Sequence, residues 1–410
     1  MTAAVLCIGT ELTRGELLNS NATWLAESLT RIGLEVTAVD CVDDDRARIE
    51  ACLRRLASEH QAILCTGGLG PTTDDITTEC AARVAGVALF RDEPSFEHIK
   101  ERLRRFGRPE MAAANAKQAD FPVGARILPN PNGTAPGFRV KLGGASSYFM
   151  PGVPSEMKAM FEAHVAPELA SLVTEASHQI VLRCFGMPES ECNERMAGLE
   201  AEYGVYVGYR ASMPEIEVKL LARASTLDAA KALARRAADD ARLRLGDAVY
   251  GEGFGSLPEH LGALLAEHGK TLAIAESCTG GLAAELMTRT PGSSRYFLGG
   301  AVAYANSAKT ALLGVPAELI AAHGAVSAEV ARAMAEGVRE RLGADYGLAF
   351  TGIAGPEGGT AQKPVGLVHW AVASSAGASS QDRVFSGDRS VVRRRAVFSG
   401  LDAVRRLVRG

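Results

Sequence analysis

Ala275-Glu276-Ser277-Cys278-Thr279-Gly280-Gly281 stands between a strand-like apolar run, Thr271 to Ala275, and an amphipathic helix-like run, Gly281 to Thr288. A strand that turns through small polar residues into a helix exposes nucleophile-sized side chains beside free helix N–H groups, which can hold an anion or a developing oxyanion. The same residues also fit a plainer role, in which Ser277 or Thr279 caps the first helical turn. Two downstream segments repeat the pattern. Gly300 to Lys309 (GAVAYANSAK) reads as a strand entering a polar turn or helix start and offers a phenol, an amide and an ammonium. Tyr346 to Pro356 (YGLAFTGIAGP) is an apolar strand ending in small residues, followed by a Gly-rich loop through Gly359 and Thr360. In open α/β sheets ligands bind outside the carboxyl ends of the strands, so three such junctions predict one pocket.

A serine attacks a carbonyl only if something accepts its proton. No Ser/His/Asp order is evident, which leaves Lys309 as the candidate base; a lysine serves if burial or a neighbouring cation lowers its pKa. A solvated surface lysine is the ordinary alternative. Cys278 is the rival nucleophile, because helix N-termini acidify thiols.

These residues resemble the CinA family, and the resemblance extends over essentially all 410 residues. ESCTGG, YANSAK, TGIAGP, Gly358-Gly359-Thr360 and Lys363-Pro364-Val365-Gly366 are similar to that family's amidohydrolase domain. The resemblance implies hydrolysis of nicotinamide mononucleotide (NMN) to nicotinate mononucleotide and ammonia, without a cofactor, by a dyad falling on Ser277 and Lys309. Tyr304 and Thr351 fall at supporting catalytic positions, and Glu276, Thr279, Gly280, Gly281, Asn306, Gly352 and Gly355 around the substrate. Such a reaction needs a nucleophile, a proton shuttle, oxyanion donors and a cation for the phosphate. The basic stretch from Arg389 through Arg395 supplies the last, with Arg389 or Arg393 as the phosphate ligand; because Arg393 to Arg395 are consecutive, they cannot all point one way.

The first third repeats the strand-loop-helix grammar. A buried-strand run from Ala3 to Ile8 leads into Gly9-Thr10-Glu11, then a helix from Ala22 to Ile32 with Asn19, Ser20 or Asn21 as cap. Ala62 to Thr66 leads into GGLGPTTDD (Gly67 to Asp75) and a helix to Ala85, and Tyr148-Phe149-Met150 leads through Pro151 to Ser155 into another helix. Gly67, Gly68 and Gly70 allow close backbone approach. Asp74 and Asp75 either offset the following helix dipole or hold a divalent cation that binds a diphosphate. GTEL, GGLGPTTDD, NGTAPG (Asn132 to Gly137) and MPGVPSEM resemble the amino-terminal domain of the same family, which is similar to molybdopterin-binding domains. That resemblance implies ADP-ribose pyrophosphatase activity with a divalent metal (Mg, Mn or Co), and a pocket lined by Thr10, Glu11, Gly67, Gly68, Gly70, Thr72, Asp74, Asp75 and Ser155. Chemistry alone nominates Asp75 as the metal ligand. The alternative is a pterin- or nucleotide-binding module without catalysis.

Between these segments, residues from about 178 to 251 read as a strand (Gln179 to Phe185), a helix (Glu189 to Glu202), a hairpin around Val205 to Ala222 and an Ala/Arg-rich helix (Asp228 to Leu243). This order is that of a small α+β unit, KH-like or ferredoxin-like, as in the family's linking domain. RNA binding by a KH module needs a Gly-x-x-Gly loop with basic neighbours, and none stands in a suitable place, so the segment reads as a spacer and dimerisation element. The predicted architecture is therefore α/β: two outer three-layer α/β domains, 1–170 and 255–410, joined by an α+β domain, 175–252.

A net charge of −4 argues against nucleic acid and against a DNA-uptake role, which only the family name suggests. No basic-flanked leader opens the chain, no apolar run reaches membrane-spanning length, and the eight cysteines are scattered without C-x-x-C. A cytoplasmic homodimer acting on small nucleotides is expected.

Overall fold

The computed structural model describes residues 1–105, 107 and 111–409. By compactness the chain divides into two units, residues 1–179 with 222–233, and residues 180–221 with 234–410.

In the first unit, β1 (Thr2–Ile8), β2 (Glu35–Val42), β3 (Ala62–Thr66), β4 (Leu89–Arg91), β5 (Asp120–Pro122), β6 (Arg126–Leu128), β7 (Gly137–Leu142) and β8 (Ala145–Met150) follow in order. The main sheet runs β2-β1-β3-β8-β7-β6, with β2, β1, β3 and β8 parallel. Every residue of β3 and β8 is buried, the signature of strands covered on both faces. Alternation along β1 separates the two cores. Ala4, Leu6 and Ile8 pack with Ile49, Leu53 and Cys80 of the helices Arg46–Glu59 and Thr77–Ala85. Ala3, Val5 and Cys7 pack with Leu25, Leu29 and Met160 from the helices Ser20–Arg31 and Pro154–Met160. Asn19 proves to be the cap of the first of these, its side chain accepting from Ala22 N at 3.1 Å.

The middle segment contains β9 (Ala176–Phe185), β10 (Tyr206–Ser212), β11 (Glu215–Ala224) and β12 (Val249–Glu252), ordered β10-β11-β9-β12. The expected helix over Glu189–Glu202 is two short ones, Glu189–Arg195 and Leu199–Tyr203, because Gly198 takes φ 83° between them. The helix Leu227–Leu245 completes the α+β unit.

The last sheet is built from β13 (Leu272–Glu276), β14 (Phe297–Val302), β15 (Tyr346–Gly352), β16 (Leu367–Ser374) and β17 (Gly377–Val384), in the order β14-β13-β15-β16-β17. β14, β13 and β15 are parallel, so their carboxyl ends share one edge. Leu272 and Ile274 face the helices Leu257–Glu267 and Arg389–Arg409, whereas Ala273 and Ala275 face the helix Ala328–Leu342. The Ser374 to Ser380 tract is mostly strand: β16 ends at Ser374, β17 begins at Gly377, and only the two residues between form the turn. Among the described residues no helix is long and apolar enough to cross a membrane.

Candidate functional site

Ser277 follows β13 directly, and its N–H donates to Phe350 O of β15 at 3.0 Å, which pins the residue at the sheet edge. Neither Ser277 nor Thr279 caps the next helix, Leu282–Thr288. Its free N–H groups go instead to Glu276, whose carboxylate accepts from Gly281 N at 3.0 Å, Ala283 N at 3.1 Å and Ala284 N at 2.9 Å. The expectation that Glu276 touches substrate is thereby corrected: it is 1% exposed and both its oxygens are occupied by the helix.

Lys309 lies on the helix Asn306–Leu313 and is 1% exposed. Its ammonium donates to Ser277 Oγ at 3.1 Å, Ala303 O at 3.0 Å and Tyr304 O at 3.0 Å. Among the described residues its partners include no carboxylate, and burial holds its pKa below the usual lysine value. The thiol of Cys278 is likewise buried, which pushes its pKa up to about 12.

Around this pair, Thr279 is fully buried, and its hydroxyl has no partner among the described residues. Its carbonyl accepts from Arg393 Nε at 3.1 Å. Arg389 donates to Gly355 O at 2.9 Å and to the Tyr304 hydroxyl at 3.1 Å, so it ties the Gly-rich loop to the segment carrying Lys309. Neither arginine has a carboxylate partner among the described residues. Tyr304 is exposed at the rim. The Thr351 hydroxyl donates to Ala325 O at 2.6 Å, so its proton is committed to the backbone, against the expected catalytic part. Gly280 and Gly281 form the turn after Ser277, Asn306 is an exposed residue of the first turn of its helix, and Gly352 ends β15.

In the amino-terminal unit a cleft of about 440 Å³ opens at the carboxyl ends of the parallel strands. Glu11, Gly67, Gly68, Gly70, Thr72, Asp74 and Asp75 line it. Thr10 and Ser155 do not, in contrast to expectation. Thr10 gives its N–H and hydroxyl to Asp44 at 2.8 and 2.7 Å, and Ser155 is exposed beside Glu156, which does line the cleft. The glycines serve the fold's own close approaches: a Cβ on Gly67 (φ 104°) would lie 2.0 Å from Ile8 O, and one on Gly68 (φ 66°) 2.1 Å from Thr77 Oγ1.

Asp44, Asn21 and Glu156 line the cleft and were not among the expected site residues. The signal for Asp44 was its place just past the end of β2; Asn21 donates to Gly152 O at 2.7 Å and leaves a buried carbonyl oxygen without a partner. Among the described residues the cleft is lined by five carboxylates, Glu11, Asp44, Asp74, Asp75 and Glu156, and by no lysine or arginine. Among the described residues no three His, Cys, Asp or Glu converge as a metal cage. Asp75 is only half available as a ligand, since one of its oxygens accepts from Thr72 N at 2.9 Å. One or two carboxylates together with substrate phosphates is nevertheless how Mg²⁺ is usually held, so the donor set fits a cation arriving on a diphosphate.

Residues 255–408 match the CinA C-terminal domain, 179–251 the damage-inducible protein CinA KH domain, and 4–171 the probable molybdopterin binding domain. A CinA-like protein of Anaeromyxobacter sp. (strain Fw109-5) is 44% identical over 408 residues, spanning 99% of this chain and 98% of that one. The chain belongs to the CinA family. A further relative, a putative competence-damage inducible protein of Symbiobacterium thermophilum, is 44% identical over 426 residues, 100% of this chain and 99% of that one. The competence/damage inducible protein CihA of Agrobacterium tumefaciens, a solved structure, shares 37% identity over 38% of this chain and 99% of its own, with a TM-score of 0.36. The chain thus has three domains, a small KH-like one between a molybdopterin-binding-like domain and a CinA carboxy-terminal domain.

Proposed function

We propose that the carboxy-terminal domain is an amidohydrolase acting on NMN, with Ser277 as nucleophile and Lys309 as base. The observation that carries this reading is a buried lysine, with no carboxylate partner among the described residues, within hydrogen-bond distance of a serine at the end of a parallel strand. As an ammonium, Lys309 satisfies three acceptors. As an amine it keeps two N–H groups for Ala303 O and Tyr304 O and turns its lone pair toward the Ser277 hydroxyl. Ser277 Oγ then bonds to the carboxamide carbon while its proton passes to Lys309, which returns it to the departing ammonia; water releases nicotinate mononucleotide by the reverse sequence. The backbone N–H groups of Cys278 and Thr279, which follow the nucleophile in the turn Ser277 to Gly280, would serve as the oxyanion donors. Arg389 and Arg393, uncompensated by carboxylates, suit the phosphate monoester. Ammonia release from NMN by the full-length protein tests the reading; wild-type protein that binds NMN but releases neither ammonia nor nicotinate mononucleotide would overturn it.

The amino-terminal cleft is read as a site for a nucleoside diphosphate such as ADP-ribose, cleaved at the diphosphate with a divalent cation. Its five carboxylates repel such a ligand unless a cation intervenes. That same absence of cationic side chains favours a second reading, a module that binds a pterin or nucleotide without turnover. Product analysis with ADP-ribose and Mg²⁺ separates the two, since the second gives saturable binding and no AMP.

A further inference from the structure

The loop Gly67–Asp75, which forms one wall of the amino-terminal cleft, has few ties of its own. Gly67 N donates to Met150 O at 3.1 Å and Thr77 N to Gly68 O at 3.2 Å at the loop's start, and Thr72 and Asp75 bond each other near its end. A separate element, the short helical segment Ala113–Ala119, is bonded to it. Lys117 donates its ammonium to Thr72 O and to Asp75 O, the latter at 2.9 Å. Gln118, 6% exposed, donates to Leu69 O at 3.5 Å and is itself steadied by Asn115 at 3.3 Å. Three carbonyls spread along the loop are therefore held by two neighbouring side chains about 40 to 50 positions away in sequence.

Lys117 forms no ion pair among the described residues, and its ammonium is bonded to the backbone of a loop that presents two aspartates to an already acidic cleft. A flexible lysine would gain as much from water; half-buried here, its ammonium exchanges hydration for two carbonyls and in doing so fixes where Thr72 and Asp75 stand. Its positive charge beside Asp74 and Asp75 also lessens their mutual repulsion.

We infer that Lys117, assisted by Gln118, is a positioning residue of the amino-terminal site, splinting the Gly67–Asp75 loop so that Asp74 and Asp75 stand ready for the cation of a metal-bound diphosphate. The role assigned to Lys117 is to place the loop: it is outside the lining of the cleft, which its neighbour Gln118 joins. The inference rests on the diphosphate reading for its ligand and on geometry alone for the splint.

Hydrogen exchange on the full-length protein without ligand tests the splint. In Lys117→Ala, backbone amides from Leu69 to Asp75 exchange roughly tenfold faster or more, while those of β3 and of the carboxy-terminal sheet are unchanged. Lys117→Arg, which can still donate to both carbonyls, restores most of the protection. With ADP-ribose and Mg²⁺, Lys117→Ala raises KM roughly tenfold with kcat within about threefold, the split expected of a displaced binding loop. NMN deamidation is unaffected. Wild-type exchange rates in the loop of Lys117→Ala overturn the proposal. Should that variant not fold, Gln118→Ala replaces it, with a smaller acceleration centred on Leu69 and Gly70, and unchanged exchange there overturns the proposal equally. Wild-type protein that neither binds nor cleaves ADP-ribose sinks the diphosphate reading and leaves the exchange result to decide the splint.

Discussion

Ser277 and Cys278 are neighbours in the chain, yet their surroundings divide the chemistry between them. The thiol is pushed up to about 12 by burial, so almost none of it is thiolate near neutral pH, whereas the hydroxyl has an amine at 3.1 Å to take its proton. Ser277→Ala should therefore lower NMN deamidation by roughly a thousandfold or more, and Cys278→Ala by less than about tenfold. Steady-state ammonia release measures both, and the reverse order would transfer the nucleophile to Cys278. Lys309 sets the pH dependence. Its pKa is lowered from 10.5 by burial, and only the amine can act as base, so kcat/KM rises with pH along an acid limb whose midpoint lies below 10.5. The stability linkage has the same sign: between the lowered folded value and the unfolded one the unfolded chain binds more protons, so the cost of burying Lys309 falls as pH rises through that window. Lys309→Arg stays protonated throughout and should abolish turnover; a full pH profile with substantial activity for that variant removes Lys309 from the base role.

At the level of elements, the helix Leu282–Thr288 shows how a nucleophile is aimed. Five or more positions before the N–H groups that it caps, Glu276 ends β13 and binds the helix to the strand across the Ser277 loop. Glu276→Ala should cost about 3 kcal/mol of stability, because three charge-assisted bonds disappear and leave buried donors unpaired. Glu276→Gln keeps one acceptor oxygen and should lose less. Chemical denaturation reads both, and a Glu276→Ala protein as stable as wild type, with kcat unchanged, would deny the residue this anchoring task. The strand and helix that flank the loop were legible from a continuous apolar run and an amphipathic one, which are local properties. The cap was not legible, since a glutamate at the end of a strand carries no local mark that distinguishes anchoring from substrate contact.

For the molecule as a whole, the carboxy-terminal domain shares its compact unit with much of the middle segment. Buried Glu215 of β11 accepts from Leu257 N at 2.8 Å and from the Tyr250 hydroxyl, Arg405 donates to Asp247 O at 2.8 Å, and Phe185 lies 6.0 Å from Phe398. A fragment of residues 255–410 retains Ser277, Lys309 and both arginines, and should deamidate NMN at a rate comparable to the full chain. Without these contacts its thermal midpoint should fall by several degrees relative to residues 180–410, as roughly 1–3 kcal/mol of buried hydrogen bonding is lost. Equal melting of the two fragments would return the middle segment to the part of a spacer. What the sequence by itself determined was the succession of three α/β and α+β segments and the small set of junctions at which chemistry could occur, because buried strands read as short apolar runs and polar residues gather where those runs end. What only the tertiary structure decided was the partner of each polar group: Lys309 with Ser277, Glu276 with a helix terminus, Thr10 with Asp44, Thr351 with a carbonyl, Lys117 with the acidic loop. Arg393 and the Thr279 carbonyl are 114 positions apart, and pairs so distant acquire a geometry, and hence a pKa or a spent proton, only once the chain has folded.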